Sequence, residues 1–467
     1  MRTKIFIGLT SCVLMLALFF AFIGEASAQP RNQGKKPNDR AKKLAAQGDV
    51  LYNQKDYRGA INKYAEAIAI SPNFPQAHFF KGSAHLFLDE NDAAIEEFDA
   101  ALLQGFAPMK VHELRWEAHF EKQNYDAALN DVRQGLRIEP NNSYLTLALG
   151  SIYLMKESYQ DAIDTYNKVL STNPNLPDVH YFVAFSYSRL GNFEQQELAA
   201  IEAIKKNTQY AGESYKLIGD ALAVGRKPKE AILAYERALN VKPEMQEVYS
   251  NLASIYQNQS RLTEAINTAK KGIKLFPDDE NLWVALTWFY SLADRNTEAV
   301  GAGQQAVRVA PNQYMAHTNL CRAYNDTKQY PQAILSCNKA LALQPNDGET
   351  SLYIARAYDL TNKPDLATQF YKKAVSGLIE YVRVNSESAD AYYLLANAYF
   401  ADQQRGKAIE NFKKSLQFSP NFAKARYNLG YLYFLENNMS AAREQQSLLV
   451  KLDPVLGEKL KQAMEKK

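Results

Sequence analysis

Four histidines and two cysteines are the side chains whose spacing could support chemistry. His78 and His85 lie seven residues apart, His112 and His119 repeat that spacing, and the second pair follows the first by 34 residues. Seven residues is two helical turns, so each pair shares one helix face. Imidazoles arranged that way suit zinc, copper or nickel, which makes the four a candidate metal set. His112-Glu113 opens like a zincin motif, but Trp116 stands where its second histidine belongs, so that chemistry is excluded. Cys321 and Cys337 offer two readings, a disulfide in an oxidising compartment or two buried thiols serving as small apolar residues. Neither stands at a position expected to be exposed, which argues against a cysteine nucleophile.

Nothing else in the chain suggests catalysis. Glycines are scattered without forming a phosphate-cradling loop, and the acidic residues read as solvated helix faces with no privileged spacing. A formal charge of +3 over 467 residues gives no bulk attraction for nucleic acid. The expectation is a chain without enzyme activity and without a cofactor.

The elements that must position these residues are set by a beat. Alanine recurs at Ala60, Ala94, Ala128 and Ala162, then at Ala231, Ala265, Ala299, Ala333 and Ala367, and finally at Ala408 and Ala442. Within each run the step is 34 residues, the signature of stacked supersecondary units. Proline keeps the same register at Pro72, Pro140, Pro174, Pro243, Pro277, Pro311, Pro345, Pro420 and Pro454. Apolar residues three and four apart run through Val248–Gln257, break at Asn258–Leu262, and resume through Ala265–Leu275 before Pro277. Each unit therefore reads helix, turn, helix, turn. Small residues at Gly48, Gly82, Gly150, Gly219 and Gly430, with Ala184, Ala253, Ala355 and Ala396, stand twelve residues before the recurring alanine position. That spacing predicts close helix contact between the two small positions.

This pattern resembles the tetratricopeptide repeat. The unit ending at Pro243 carries the family's spacing in Tyr215, Ile218, Gly219, Leu222, Ala231, Tyr235 and Ala238, and twelve such units fit between Asp39 and Pro454. The resemblance implies an all-α, right-handed superhelical solenoid of antiparallel helix pairs. It also implies that the four histidines take positions usually held by packing aromatics, so half-buried packing is the reading favoured over a metal. Departures are Gln196 in place of the alanine, one residue added near 206–212, and Trp116 at a small-residue position. A further seven residues between Ala367 and Ala408 lengthen one second helix by about two turns. Val455–Lys467 reads as the solvating cap of an open-ended stack.

By the same resemblance, the first helix of every unit lines a concave groove that takes peptide segments. The groove positions include Phe79, Phe87, Phe120, Tyr144, Tyr181 and Phe185, then Lys216, and later Tyr393, Phe400, Tyr427, Tyr431 and Phe434. Asn251, Asn319 and Asn428 resemble the asparagines with which family members hold a ligand's backbone or terminal carboxylate. Partners are accordingly expected to be other proteins or peptide segments.

The N-terminus differs from the rest. Arg2 and Lys4 precede an apolar run from Ile5 to Ile23, and Ala26-Ser27-Ala28 follows, the layout of a secretory signal cleaved after Ala28. Retention of residues 5–23 as an anchor, or acylation at Cys12, are the alternatives. The stretch from Gln29 to Lys43 holds six basic residues against Asp39 and reads as a basic linker. The expectation is an exported scaffold, periplasmic or secreted, working in secretion, pilus, outer-membrane or exopolysaccharide assembly. The alternative is an accessory subunit of a separately encoded glycan-modifying enzyme.

Overall fold

Residues 37–465 are described by the computed structural model, and they form twenty-five α-helices with no strand among them. The N-terminal apolar segment, Cys12 and the Ala28 junction lie outside the described residues. Among those described, no helix is long and apolar enough to cross a membrane. The helix pairs follow the beat: Gln246–Asn258 with Leu262–Leu275 is one repeat, and eleven others match it. The first helix already begins at Asp39, capped by Asn38, whose Oδ1 accepts from the Ala41 amide at 2.9 Å. Residues 39–43 of the basic stretch are therefore helical, consistent with a first repeat that starts at Asp39.

A left-handed residue closes each turn inside a repeat, as at Lys55, Asp89, Gln123 and Gly191. At the first of these, Lys55 donates to the Tyr52 carbonyl and Asp56 to that of Leu51, each at 2.9 Å, a Schellman closure that satisfies the last carbonyls of the helix. The proline beat skips three places, after the second, fifth and tenth repeats. After the second and fifth, the second helix ends instead on left-handed Gly105 and Asn207. The residue added after Asn207 is held by Asp178, which accepts from Thr208 Oγ1 at 2.6 Å and Gln209 Nε2 at 2.7 Å.

Gly48, Gly82, Gly150 and Gly219 of the first helices face a ring sixteen residues on, and a Cβ at Gly82 would also lie 3.2 Å from the carbonyl oxygen of Ala94, twelve residues on. A Cβ at Gly150 would lie 2.6 Å from the Tyr166 ring, and one at Gly219 the same distance from Tyr235. Both tyrosines are among the most deeply buried side chains. Volume is traded across this pair. Where the first position is Trp116 the second is Val132, and where the first is Thr287 the second is Gly303. Trp116 thus keeps its hairpin, packing edge-on to Phe120 and Tyr144 at 5.8 and 6.0 Å. Gln196 is buried, and its Nε2 donates to the Leu217 carbonyl at 2.7 Å. In the ninth repeat the same pair is Cys321 and Cys337, joined as a disulfide with both residues fully buried.

The chain divides between Pro243 and Glu244 into two compact units of six repeats each. In the C-terminal unit the long second helix runs Pro364–Val384, 21 residues against 13 or 14 elsewhere, as the seven-residue insert requires. Its extra turns pass the start of its own repeat's first helix at Gly348. A Cβ on Gly377 would sit 2.5 Å from the Asn346 carbonyl oxygen, so only glycine permits the approach. The final helix begins at Pro454, with proline at a helix start where its missing N–H is tolerated. Leu460 fills the space beside Gly430 and is fully buried, closing the stack.

Candidate partner-binding groove

Within each unit, first helices of successive repeats touch one another, while second helices chiefly meet their own partners and the next first helix. The face lined by first helices is therefore the inner one. Counting from the small-residue position, inner side chains stand six and three residues before it and one, four and five after it. The aromatic residues at this register divide into two groups. Phe79, Phe120, Tyr181 and Phe434 are buried in packing between helices and present no free ring, contrary to expectation. Tyr181, for example, stacks on Tyr210 at 4.4 Å, and Phe79 on Phe106 at 4.5 Å. Phe87 is exposed, and Tyr144, Phe185, Tyr393, Phe400, Tyr427 and Tyr431 are half-buried. Tyr427 and Tyr431 lie parallel, 6.4 Å apart, on one helix face.

The expected asparagines do not form a shared clamp. Asn319 is buried and its Nδ2 donates to the Val284 carbonyl at 3.2 Å, Asn428 donates to Asn397 at 2.9 Å, and Asn251 is half-buried two repeats before Asn319. Lys216 pairs with Asp220 at 2.9 Å.

The histidines also separate. His78 Nδ1 lies 2.6 Å from Glu97, His85 Nδ1 2.7 Å from Glu90, and His112 Nδ1 2.8 Å from Asp131. His119 stands 3.8 Å from the same Asp131, which also accepts from Arg115 Nε at 2.9 Å. Each ring is thus tied to a carboxylate in, or capping, its own repeat's second helix. Among the described residues no three metal-ligating side chains converge. Asp131 is almost wholly buried, yet hydrogen bonds from His112 and Arg115 outweigh burial and hold its carboxyl below the usual range.

Two charged groups on the inner face were not anticipated. In the third repeat Glu113, Glu117 and Glu121 occupy the positions three before, one after and five after Trp116, one stripe along the helix Pro108–Glu121. None forms an ion pair among the described residues. Burial raises all three carboxyls, and Glu117, which accepts from the Tyr144 hydroxyl, is pushed up to about 7 by burial and by its two neighbours. This corrects the reading of the acids as solvated surface without privileged spacing. In the C-terminal unit, Trp288 and Arg322 stand one residue after their small positions, and Glu349 and Asp390 six before theirs. The Arg322 guanidinium carbon lies 4.2 Å from the Trp288 ring centre and 5.8 Å from that of Tyr353. Register alone would have located both groups. A search for aromatic anchors passed over them.

Charge also crosses the C-terminal inner face. Lys424 of the twelfth repeat reaches Asp294 of the eighth at 3.1 Å and the Leu292 carbonyl at 3.4 Å. Four repeats thus curve far enough for a first-helix start to meet a turn.

Models of the tetratricopeptide repeat match residues 48–88, 119–184, 398–436 and 423–455. The chain is a tandem tetratricopeptide repeat protein. A model described as ChAPs (Chs5p-Arf1p-binding proteins) also matches residues 222–358 of this repeat protein. Curated relatives include a DnaJ homolog subfamily C member 7 homolog from Schizosaccharomyces pombe, 24% identical over 37% of each chain. The Hsp70-Hsp90 organising protein of Plasmodium falciparum is 25% identical over 34% of this chain and 28% of its own length. The chain spans about a third of the length of these curated relatives. Among solved structures, a tetratricopeptide repeat protein from Parabacteroides merdae covers 55% of this chain and 98% of its own, at 17% identity and a TM-score of 0.44. Repeat proteins of this kind are binding scaffolds, and other proteins or peptides are what they hold.

Proposed function

We propose that this chain is an exported, non-enzymatic scaffold of the cell envelope that holds segments of other proteins along its inner face during secretion, pilus, outer-membrane or exopolysaccharide assembly. The observation that carries the reading is the stripe of Glu113, Glu117 and Glu121, half-buried and without ion pairs. A stack built for stability alone gains nothing from partly desolvated carboxylates without ion pairs. Export is supported by the Arg2 to Ala28 layout and by the buried disulfide, which suits an oxidising compartment.

Crosslinking and pull-down from the envelope fraction test the scaffold reading. One or a few proteins should co-purify with the wild type and fall away when Phe87→Ala is combined with Gln at the three glutamates. Recovery of no protein above background would overturn it. N-terminal sequencing of the mature chain tests export, and a start at Met1 in the cytoplasmic fraction would sink that part alone.

A further inference from the structure

Lys424 stands where its own helix gains nothing from it. It is the second residue of the helix Ala423–Leu435, beside the positive end of that helix's dipole, and no side chain caps the helix there. Five other repeats place an acid at this register, Asp178, Glu213, Glu247, Glu349 and Asp390, each in the first turn of its helix. Lys42 and Lys110 share the register, but among the described residues neither pairs with an acid of another repeat. What Lys424 meets lies four repeats away. The helix Glu280–Leu292 ends in a turn whose amides take the carbonyls of Phe289, Tyr290 and Ser291 at 3.0, 2.9 and 3.4 Å. The Leu292 carbonyl is left over at the negative end of the dipole. The Lys424 ammonium donates to it at 3.4 Å and to the Asp294 carboxylate at 3.1 Å. Lys424 and Asp294 are 130 residues apart in sequence, so their contact exists only while repeats eight to twelve are curled. The first helices of the eighth, ninth and tenth repeats, Glu280–Leu292, Tyr314–Asp326 and Gly348–Leu360, touch more broadly than any other successive first helices, which is where the curl is tightest.

We propose that Lys424 and Asp294 form a clasp that shuts the C-terminal unit against sideways entry to the inner face between the eighth and twelfth repeats, and that the clasp opens reversibly as ionic strength rises. Both ends are wet, Lys424 30% and Asp294 76% exposed, so salt screens the pair. A contact of that kind shifts the ratio of closed to open array by about two- to fivefold. Weakness suits a gate. A buried tie would fix the curl, and an array without a tie would leave the edge open. The closure stands on geometry alone, whereas its use in admitting a partner rests on the scaffold reading.

Zero-length carbodiimide crosslinking of the full chain, read by peptide mass spectrometry, joins an ammonium to a carboxylate only where the two touch. Lys156 and Asp126 serve as the control, 2.5 Å apart, 30% and 85% exposed, but on adjacent repeats. Both crosslinks should form in dilute salt. When the Debye length falls from about 30 Å in 0.01 M salt to about 3 Å in 1 M, the Lys424–Asp294 crosslink should drop about twofold further than the control. The double exchange Lys424→Glu with Asp294→Lys should crosslink as the wild type does. The array already carries lysine at this turn position, at Lys55 and Lys328, and glutamate at this helix register, at Glu213 and Glu247, so the exchanged pair suits the fold. Spin labels on Thr297→Cys and Asn421→Cys, both at exposed positions, in a Cys12→Ser chain, read the curl directly. Lys424→Gln should move their distance distribution to longer values. No Lys424–Asp294 crosslink in dilute salt, an equal fall of both crosslinks, or the same label distances with and without Lys424 would overturn the clasp. A partner recovered by pull-down would then leave the scaffold reading standing, just as a working clasp would survive a pull-down that recovers nothing.

Discussion

The N-terminal and C-terminal units use one repeat and solve the same two problems differently. Inside the hairpin, the fourth repeat seats the Tyr166 ring against Gly150, whereas the ninth joins Cys321 to Cys337 at the same pair of positions. A ring filling a glycine's space gains burial and contact area. A disulfide there replaces packing volume with a covalent link that restricts the unfolded chain. On the inner face, the N-terminal unit leaves three glutamates without ion pairs, while the C-terminal unit ties Lys424 to Asp294 and flanks Arg322 with Asp326. Repeat geometry fixes where a side chain points and leaves its charge open.

The contrast can be attacked from its strongest side first. Tyr166→Ala should empty a fully buried site and cost about 3–5 kcal/mol, seen as a lower denaturant midpoint. Hydrogen exchange should place the loss in the N-terminal unit. Replacing both Cys321 and Cys337 by serine should cost about 2–4 kcal/mol, with the faster exchange confined to the C-terminal unit. If both variants loosened the whole chain equally, the division into units would not describe its cooperativity.

The charged faces predict smaller, pH-dependent effects. Glu117 has a folded value raised to about 7 from an unfolded 4.5, so the folded state binds its proton more tightly. Its stabilising protonation is complete below about pH 4.5 and is lost as pH rises toward 7. Glu117→Gln should flatten the stability profile across that interval, with a gain on the order of 1–3 kcal/mol above pH 7. Asp131 runs the other way. Its depressed carboxyl contributes stability above the ordinary aspartate range that is lost as pH falls through its lower folded value, so acid melts of Asp131→Asn should differ from wild type least at the lowest pH. The smallest effect belongs to Asp294→Asn. Asp294 is well exposed, so loss of the Lys424 contact should change stability by no more than about 1 kcal/mol and vanish in high salt.

Much of the fold was legible because a short repeat imposes a local rule many times. The 34-residue step and the two-turn extension of Pro364–Val384 follow from counting along helices, which also sets Cys321 and Cys337 in one hairpin but leaves disulfide and paired thiols both open. The groove was less legible. Phe79 and Tyr181 share a register with exposed Phe87, and only neighbouring helices decide which ring is covered. The histidine pairs show the same limit, since a face shared along one helix says nothing of the carboxylates brought up by its partner.

By itself, the sequence determined that this protein is a stack of helix pairs and where each turn falls, because those properties depend on periodicities of a few residues. Tertiary structure alone decided that Tyr166 fills the space of Gly150, that Asn319 is engaged by a backbone carbonyl, and that Glu117 and Arg322 sit half-desolvated without full partners. Burial and the approach of a charge are set by what packs from other helices, and that distance is not written in the spacing along any one of them.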